Sequence, residues 1–213
     1  MLFSKRQIIS GISAAIALSA FVLHMPVRTA AAGDAGTFVT ELKDNAVQQL
    51  TAANGDEALK EERFRTLLNG NFEVEDIGKF VIGRYWRRTS DEDRKAFLSV
   101  FEDVLVQRFL PLFDDYATQT FNVEAVRADA KRPEFSTVVS RVGQPTGSDA
   151  TVLWRIREKG GAFMVSDVKA EGISLRITYQ SEYASFLKNN SGDVKKLTQL
   201  LARKVKAGAF APK

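Results

Sequence analysis

Acidic side chains close together in the sequence are the first candidates for chemistry in this chain. Asp114 and Asp115 are adjacent, and Asp167 and Glu171 flank the end of a predicted strand. Acid–base catalysis needs two such groups placed within reach of one reacting atom. Adjacent residues of a helix do not face one another, so Asp114 and Asp115 make a poor pair. Capping, surface charge and turn formation are the commoner roles of acids at such positions.

Nucleophilic and metal-assisted chemistry has little support in the residue types. Ser185-Phe186-Leu187-Lys188 has the Ser-x-x-Lys spacing, but no SDN or KTG segment accompanies it. There is no cysteine, and the only histidine is His24, inside a predicted leader. Ser–His–Asp and Cys–His catalysis and the usual zinc sites are therefore excluded from the remainder of the chain. Phosphate-loop and dinucleotide fingerprints are missing as well, and we expect a protein that is not an enzyme.

Residues 83–93, GRYWRRTSDED, interleave arginines with aromatic side chains. Such a strip can stack bases and neutralise phosphates. The full chain carries 30 Lys and Arg against 26 Asp and Glu. Residues 1–32 contain Lys5, Arg6 and Arg28 and no acid, so their removal leaves 27 basic against 26 acidic side chains. A near-neutral protein does not fit a nucleic-acid partner. Contacts to a lipid phosphate or a partner, and plain surface solvation, stay open for these arginines.

The first residues indicate export. Lys5 and Arg6 precede an uncharged apolar run over residues 8–23, and Ala30-Ala31-Ala32 supplies small residues for cleavage. This layout predicts a signal peptide over residues 1–32 and a periplasmic location. The alternative is an uncleaved anchor, but the apolar run is shorter than the roughly 20 residues that span a bilayer.

Hydrophobic periodicity predicts an α+β fold: N-terminal helices, a four-stranded antiparallel sheet and C-terminal helices. Because an antiparallel sheet curved over amphipathic helices can leave space between the layers, we expect an apolar pocket between sheet and helices. Gly83 is expected to end the third helix and Asn69-Gly70-Asn71 the second. Thr89, Ser90 and Asp91 are the candidate caps of the next helix, and Thr89 with Glu92 has the spacing of a capping box. We expect a single domain over residues 33–206 and a flexible tail over 207–213. The predicted helices cover residues 37–52, 57–68, 73–82, 91–116, 180–189 and 192–206, and the strands 120–129, 135–143, 150–158 and 162–170.

Two segments carry a family resemblance. Residues 72–109 contain F-x-V-x-x-I-x-x-F-V-x-G-R-Y-W and then an acidic helix start followed by F-x-x-x-F. Residues 163–187 contain V-x-D-V-x-x-E-G-I-S-L and a Y-x-x-x-Y stretch. In order and spacing these motifs resemble the MlaC, or toluene-tolerance, family of periplasmic phospholipid-binding proteins. Family members often carry Arg where this chain has Gln180, which puts any headgroup or partner role of that position in doubt.

The resemblance implies a shuttle that carries phospholipid between an outer-membrane lipoprotein complex and an inner-membrane ABC transporter with an MCE-domain subunit. It implies buried acyl tails, a headgroup near solvent, and neither cofactor nor catalysis. Because some members are associated with hopanoid metabolism, the lipid could instead be a hopanoid. The alternative function is that of a non-enzymatic periplasmic adaptor with a filled core.

A lipid pocket needs apolar walls with few polar groups at its mouth. Trp86 could lie at that mouth, where an amphipathic ring suits a wet edge. The expected walls are Phe80, Val81, Tyr85, Phe97, Phe101, Leu105 and Phe109 from the helices, and Val152, Trp154, Val165 and Ile173 from the sheet.

Overall fold

Helices precede and follow an antiparallel sheet, which confirms the α+β prediction. The computed structural model describes residues 30–144 and 148–212, so nearly all of the predicted signal peptide lies outside the described residues. Within the described ranges, none of the helices combines the length and the apolar character needed to cross a bilayer. The helices are α1 (Ala30–Thr51), α2 (Glu57–Asn71), α3 (Val74–Ile82), a 3₁₀ helix (Gly83–Arg88), α4 (Asp91–Tyr116), α5 (Leu175–Asn189) and α6 (Val194–Lys206).

The sheet is an antiparallel meander in which each strand pairs with the next along the chain. The strands are β1 (Phe121–Ala128), β2 (Phe135–Val142), β3 (Ala150–Lys159), β4 (Ala162–Ala170) and β5 (Ile173–Ser174). The four predicted strands are present, and the two-residue β5 was not predicted. A bulge between Arg155 and Ile156 shifts the register of β3 against β4.

The junction before α4 agrees with the predictions except for the capping box. Gly83 ends α3 with a φ of 55°, a backbone conformation that glycine adopts without steric cost. The predicted Thr89–Glu92 capping box is wrong. Ser90 caps α4, and its hydroxyl oxygen accepts a hydrogen bond from the Asp93 N–H over 3.1 Å. Thr89 instead donates its hydroxyl to the Tyr85 carbonyl oxygen, so its side chain is committed to the preceding turn.

Two other helix boundaries differ from the predictions. Helix α2 continues to Asn71, whose side-chain amide donates to the Leu67 carbonyl oxygen over 2.8 Å, so Gly70 is not its C-terminal cap. Helix α5 begins at Leu175 because Ser174 caps it, accepting a hydrogen bond from the Ile177 N–H over 3.2 Å. Five residues that were expected to lie before the helix are thereby part of it.

The apolar interior forms two clusters. The helical core lies among α2 to α6, and the sheet core lies between α1 and one face of the sheet. Phe72, on the connection from α2 to α3, packs against both. The Phe210 N–H donates to the Gln107 side-chain oxygen over 3.0 Å, and Phe210 packs on the helical core. The flexibility of the tail stays a prediction.

Candidate functional site

The predicted wall residues are distributed over both cores. Val81, Phe97, Phe101 and Leu105 are buried in the helical core. Tyr85 and Phe109 are partly buried and pack against it.

In the sheet core, Val165 is buried and Trp154 packs against the same cluster. The indole N–H of Trp154 donates a hydrogen bond to the Ser140 hydroxyl over 2.9 Å.

The remaining three predicted residues lie at the edges. Phe80 is half-buried, and the guanidinium of Arg176 lies 4.3 Å from its ring centroid. Val152 is half-buried on β3. Ile173 is 63 % exposed, which is unusual for so large an apolar side chain. The structure therefore brings together a helical group and a sheet group of the predicted residues, with Ile173 at the surface.

Two tyrosines on α5, which were not among the predicted site residues, complete an aromatic cluster with the predicted Phe97 and Phe101. The rings of Phe97 and Phe101 are stacked with centroids 5.7 Å apart, and Tyr179 meets Phe101 edge-on at 5.7 Å. Tyr183 meets Phe97 edge-on at 6.3 Å. Their i, i+4 spacing in the Y-x-x-x-Y motif is the sequence signal that places both on one face of a helix.

Burial governs the ionisation of these tyrosines. It raises the pKa of Tyr179 to about 12 and also raises the pKa of Tyr183 above its ordinary value. The Tyr183 hydroxyl is buried and has no hydrogen-bond partner among the described residues. A buried hydroxyl without a partner carries a desolvation cost that its ring packing must offset.

A groove runs along the exposed side of α5. One cavity, of about 690 Å³, lies between α5 and the end of α3 with the 3₁₀ helix. A second, of about 440 Å³, lies between α5 and the β4–β5 turn. Both are lined by Ile177 and Ser181, and we refer to the two together as the α5 groove. Three of the predicted wall residues line it: Val81, Tyr85 and Ile173.

The α5 groove combines an apolar floor with a polar rim. Val81, Ile82 and Ile177 line it with apolar side chains, of which Ile177 is 55 % exposed and Val81 and Ile82 are buried. Arg84 and Lys188 supply cations at one end of the groove. An apolar floor with a few polar groups at its edge suits an amphiphilic ligand.

Trp86 and the arginines of residues 83–93 have separate environments. Trp86 is 9 % exposed and belongs to the helical core, so the interpretation of Trp86 as a mouth residue is wrong. Arg94 covers its ring at 5.1 Å and donates to its carbonyl oxygen. Arg84 donates to the Tyr85 hydroxyl over 3.0 Å.

The acids considered for catalysis have structural partners. Asp167 accepts hydrogen bonds from the Ser174 hydroxyl over 2.6 Å and from the Arg176 N–H over 3.3 Å. Glu171 accepts from the Thr151 N–H over 2.9 Å. The side chains of Asp114 and Asp115 lie outside the described part of the structure. Asp167 therefore accepts hydrogen bonds at the start of α5, and Glu171 links the end of β4 to β3.

Comparison with known proteins gives a consistent result. A sequence model described as MlaC protein matches residues 37–203. The intermembrane phospholipid transport system binding protein MlaC of Haemophilus influenzae is 26 % identical over 105 residues, which are 48 % of this chain and 49 % of the relative. The chain thus matches about half the length of that curated relative.

A solved structure shares the fold. It is a phospholipid-binding protein from Ralstonia solanacearum in complex with a phospholipid. The TM-score is 0.71 at 18 % sequence identity, and the match covers 82 % of this chain and 98 % of the other. At this identity the likeness concerns the fold.

Proposed function

Because the chain belongs to the MlaC family, we propose that it is a periplasmic carrier that binds phospholipid by its acyl chains. In this proposal the protein shuttles lipid between the outer membrane and an inner-membrane ABC transporter. It performs no catalysis and needs no cofactor. The match over residues 37–203, which include most of both cores and the α5 groove, is the observation that carries the proposal.

Acyl-chain burial sets the physical requirement. Each methylene removed from water contributes about 0.8 kcal/mol, so a carrier must cover most of a chain to compete with a bilayer. The α5 groove offers about 690 Å³ in its larger cavity, beside apolar side chains of α3 and α5. We place the first contact of the lipid there, with Tyr85 and Ile177 against the chain.

Full burial of two acyl chains requires more space than the groove. Six of the other predicted walls belong to the helical core or the sheet core, which meet at Phe72: Phe97, Phe101, Leu105, Phe109, Trp154 and Val165. Separation of the two layers at this junction would admit the tails between them, with Phe97, Phe101 and Trp154 as walls. The headgroup then stays at the rim near Arg84 and Lys188.

The partners in this proposal are those that the family resemblance implies. They are an MCE-domain subunit of an inner-membrane ABC transporter and an outer-membrane lipoprotein complex, with phospholipid as cargo. A hopanoid is the alternative cargo. A periplasmic adaptor with a filled core is the second candidate function, and the complete burial of Val81, Phe97 and Phe101 is the observation that favours it.

Native mass spectrometry tests the proposal. The full chain is expressed with its own leader in a Gram-negative host and purified from the periplasmic fraction under mild conditions. We expect a protein mass that has lost the leader and an additional population heavier by one phospholipid. Lipid extraction and analysis of that population separates phospholipid from hopanoid. Bare protein in several mild preparations, including after incubation with phosphatidylglycerol vesicles, would support the adaptor instead.

A further inference from the structure

Four arginines gather around two phenylalanine rings where the sheet meets α3 and α5. The face of the sheet opposite α1 carries Phe135, and the guanidiniums of Arg155, Arg132 and Arg157 lie 4.3, 5.1 and 5.5 Å from its ring centroid. From α5, Arg176 covers the ring of Phe80. The rings hold the cations in place by cation–π attraction and leave the guanidinium edges for hydrogen bonding.

One of the four arginines is fully matched by acids. Arg157 donates to Glu73 over 2.9 Å and to Asp76 over 3.1 Å, both near the start of α3. The other three, Arg132, Arg155 and Arg176, are here called the arginine trio. Their ion-pair partners among the described residues are Asp129 and Asp167.

These two carboxylates are already occupied by other donors. Asp129 accepts from the backbone N–H groups of Lys131 and Arg132 over 3.0 and 3.2 Å. The two guanidinium contacts of Asp129, to Arg132 and Arg155, are longer than is usual for charge-assisted bonds, at 3.3 and 3.2 Å. Three guanidiniums thus share two carboxylates that also serve the backbone.

Asp167 also accepts hydrogen bonds from donors other than a guanidinium. It takes the Ser174 hydroxyl and the Arg176 backbone N–H, and the Nε of Arg176 lies 3.5 Å from its nearer oxygen. The Nε atoms of Arg155 and Arg176 are both buried without a hydrogen-bond partner among the described residues. Buried donors without partners are rare in native structures and call for an explanation.

Electrostatics within the trio is unfavourable. Burial lowers the pKa of the Arg176 guanidinium below its ordinary value, Asp167 and Glu73 oppose this, and the charges of Arg155 and Arg132 lower it further. Within the trio, three guanidiniums are paired with only two carboxylates, because Glu73 and Asp76 are engaged by Arg157. An anion with several acceptor oxygens would supply further acceptors for the guanidinium N–H groups of the trio.

We propose that the arginine trio is a binding site for a phosphate group, either that of a lipid headgroup or a free phosphate. Guanidinium forks match phosphate oxygens in geometry and bind them bidentately. The side chains of Arg132, Arg155 and Arg176 are 54, 21 and 24 % exposed, so an anion reaches the trio from solvent. The site lies apart from the α5 groove, whose lining includes none of the trio. It goes beyond the carrier proposal and does not depend on it.

Arginine side-chain NMR tests the site on the full-length secreted protein labelled with ¹⁵N. The Nε–H signals are followed during titration with sodium phosphate, with glycerol 3-phosphate, and with dihexanoylphosphatidylglycerol below its micelle concentration. Sodium chloride keeps the ionic strength constant. We expect saturable shifts of the Arg155 and Arg176 signals, assigned by their loss in Arg155→Gln and Arg176→Gln. Saturation by all three probes identifies a site for any phosphate, and saturation by the lipid alone identifies a headgroup site.

Variants distinguish phosphate binding at the trio from a nonspecific effect of the protein's positive charge. Arg132→Gln, at an exposed side chain, and Arg176→Gln should each weaken phosphate binding by about tenfold, the loss expected for one charge-assisted contact. Arg141→Gln is the matched control, because Arg141 lies on the same face of β2 as Phe135 and pairs with Glu124 over 2.7 Å. Thermal melts establish that each variant is folded.

Two results would overturn the inference: shifts that never saturate, or wild-type affinity in both Arg132→Gln and Arg176→Gln. The outcome is independent of lipid carriage. If lipid co-purifies but the arginine signals of the trio do not shift, the phosphate site is rejected and the carrier proposal stands. If the protein binds phosphate saturably but never carries lipid, the phosphate site stands and the carrier proposal is rejected.

Discussion

The side-chain amide of Gln180 donates a hydrogen bond to the carbonyl oxygen of Phe80 over 3.0 Å and so joins α5 to the last turn of α3. The last carbonyl groups of a helix have no partner within the helix. Gln180 supplies one from a helix that follows the sheet in sequence. Gln180 thus links two helices in the wall of the α5 groove.

Gln180→Ala should lower the free energy of unfolding by about 1–2 kcal/mol, because a partly buried hydrogen bond between α5 and α3 is lost. In a chain of this size the loss corresponds to a fall of about 2–8 °C in Tm. Gln180→Arg should retain most of the stability, since a guanidinium also donates to a carbonyl. Gln199→Ala, at an exposed position on α6, is the control. Equal melting temperatures for Gln180→Ala and Gln199→Ala would contradict the role of the bond.

Gly192→Ala should be strongly destabilising. Gly192 has a φ of 75°, and a Cβ at this position would lie 2.6 Å from Cδ1 of Tyr85. The left-handed backbone costs an alanine about 1–2 kcal/mol, and the overlap with a packed ring adds about 1–3 kcal/mol. Urea unfolding measures the total.

Gly208→Ala provides a comparison for the backbone effect alone. Gly208 has a φ of 67°, and a Cβ there would meet nothing within 4 Å. We expect a loss of about 1 kcal/mol for this variant. Similar losses for Gly192→Ala and Gly208→Ala would show that the Tyr85 ring moves away at little cost.

Local patterns predicted most of the elements. Alternation of apolar residues gave all four long strands, and the wide apolar arc of residues 97–113 gave α4. The start of α5 was missed because the segment after Gly172 is rich in β-branched and aromatic residues, which favour strands. The Ser174 cap overrides that preference. The two-residue β5 is too short to leave a periodic signal.

The site was harder to predict for a different reason. Periodicity shows that Phe97 and Phe101 face inward, but not whether a neighbouring ring or a cavity fills the space beside them. Here Tyr179 and Tyr183, far along the chain, occupy part of it. Strand alternation places Arg155 and Arg157 on one face of β3. The approach of Arg176 from α5 depends on tertiary packing, which a single sequence does not reveal.

Alkaline pH should destabilise the protein through Tyr179 and Tyr183. Burial raises the pKa of Tyr179 to about 12 and raises that of Tyr183 as well, so the folded state favours neutral rings. Their contribution is complete below the unfolded pKa of about 10 and is lost as the pH rises through the folded values. Urea unfolding at several pH values between 8 and 11.5 measures the slope. Tyr179→Phe should flatten it between pH 10 and 11.5, and an unchanged slope would contradict this assignment.

Tyr183→Phe should leave stability at pH 7 unchanged or raise it by about 1 kcal/mol. The Tyr183 hydroxyl is buried without a partner among the described residues, so its removal relieves a desolvation cost and keeps the edge-on ring contacts. Thermal and urea melts measure the difference from wild type. A loss of more than about 1 kcal/mol would mean that the hydroxyl has a partner, such as a buried water.

Ile177→Glu should reduce the lipid-bound fraction of the protein without unfolding it. Ile177 is 55 % exposed and lies in both cavities of the α5 groove, so a carboxylate there places a charge against the acyl chain while remaining solvated in the free protein. We expect at least about a tenfold weaker retention of phosphatidylglycerol, equivalent to roughly two lost methylene contacts. Native mass spectrometry after incubation with vesicles measures the bound fraction. Ala202→Glu, on the exposed side of α6, has the same charge change outside the groove and should bind as the wild type does. Equal lipid retention in Ile177→Glu and Ala202→Glu would remove the α5 groove from the path of the lipid.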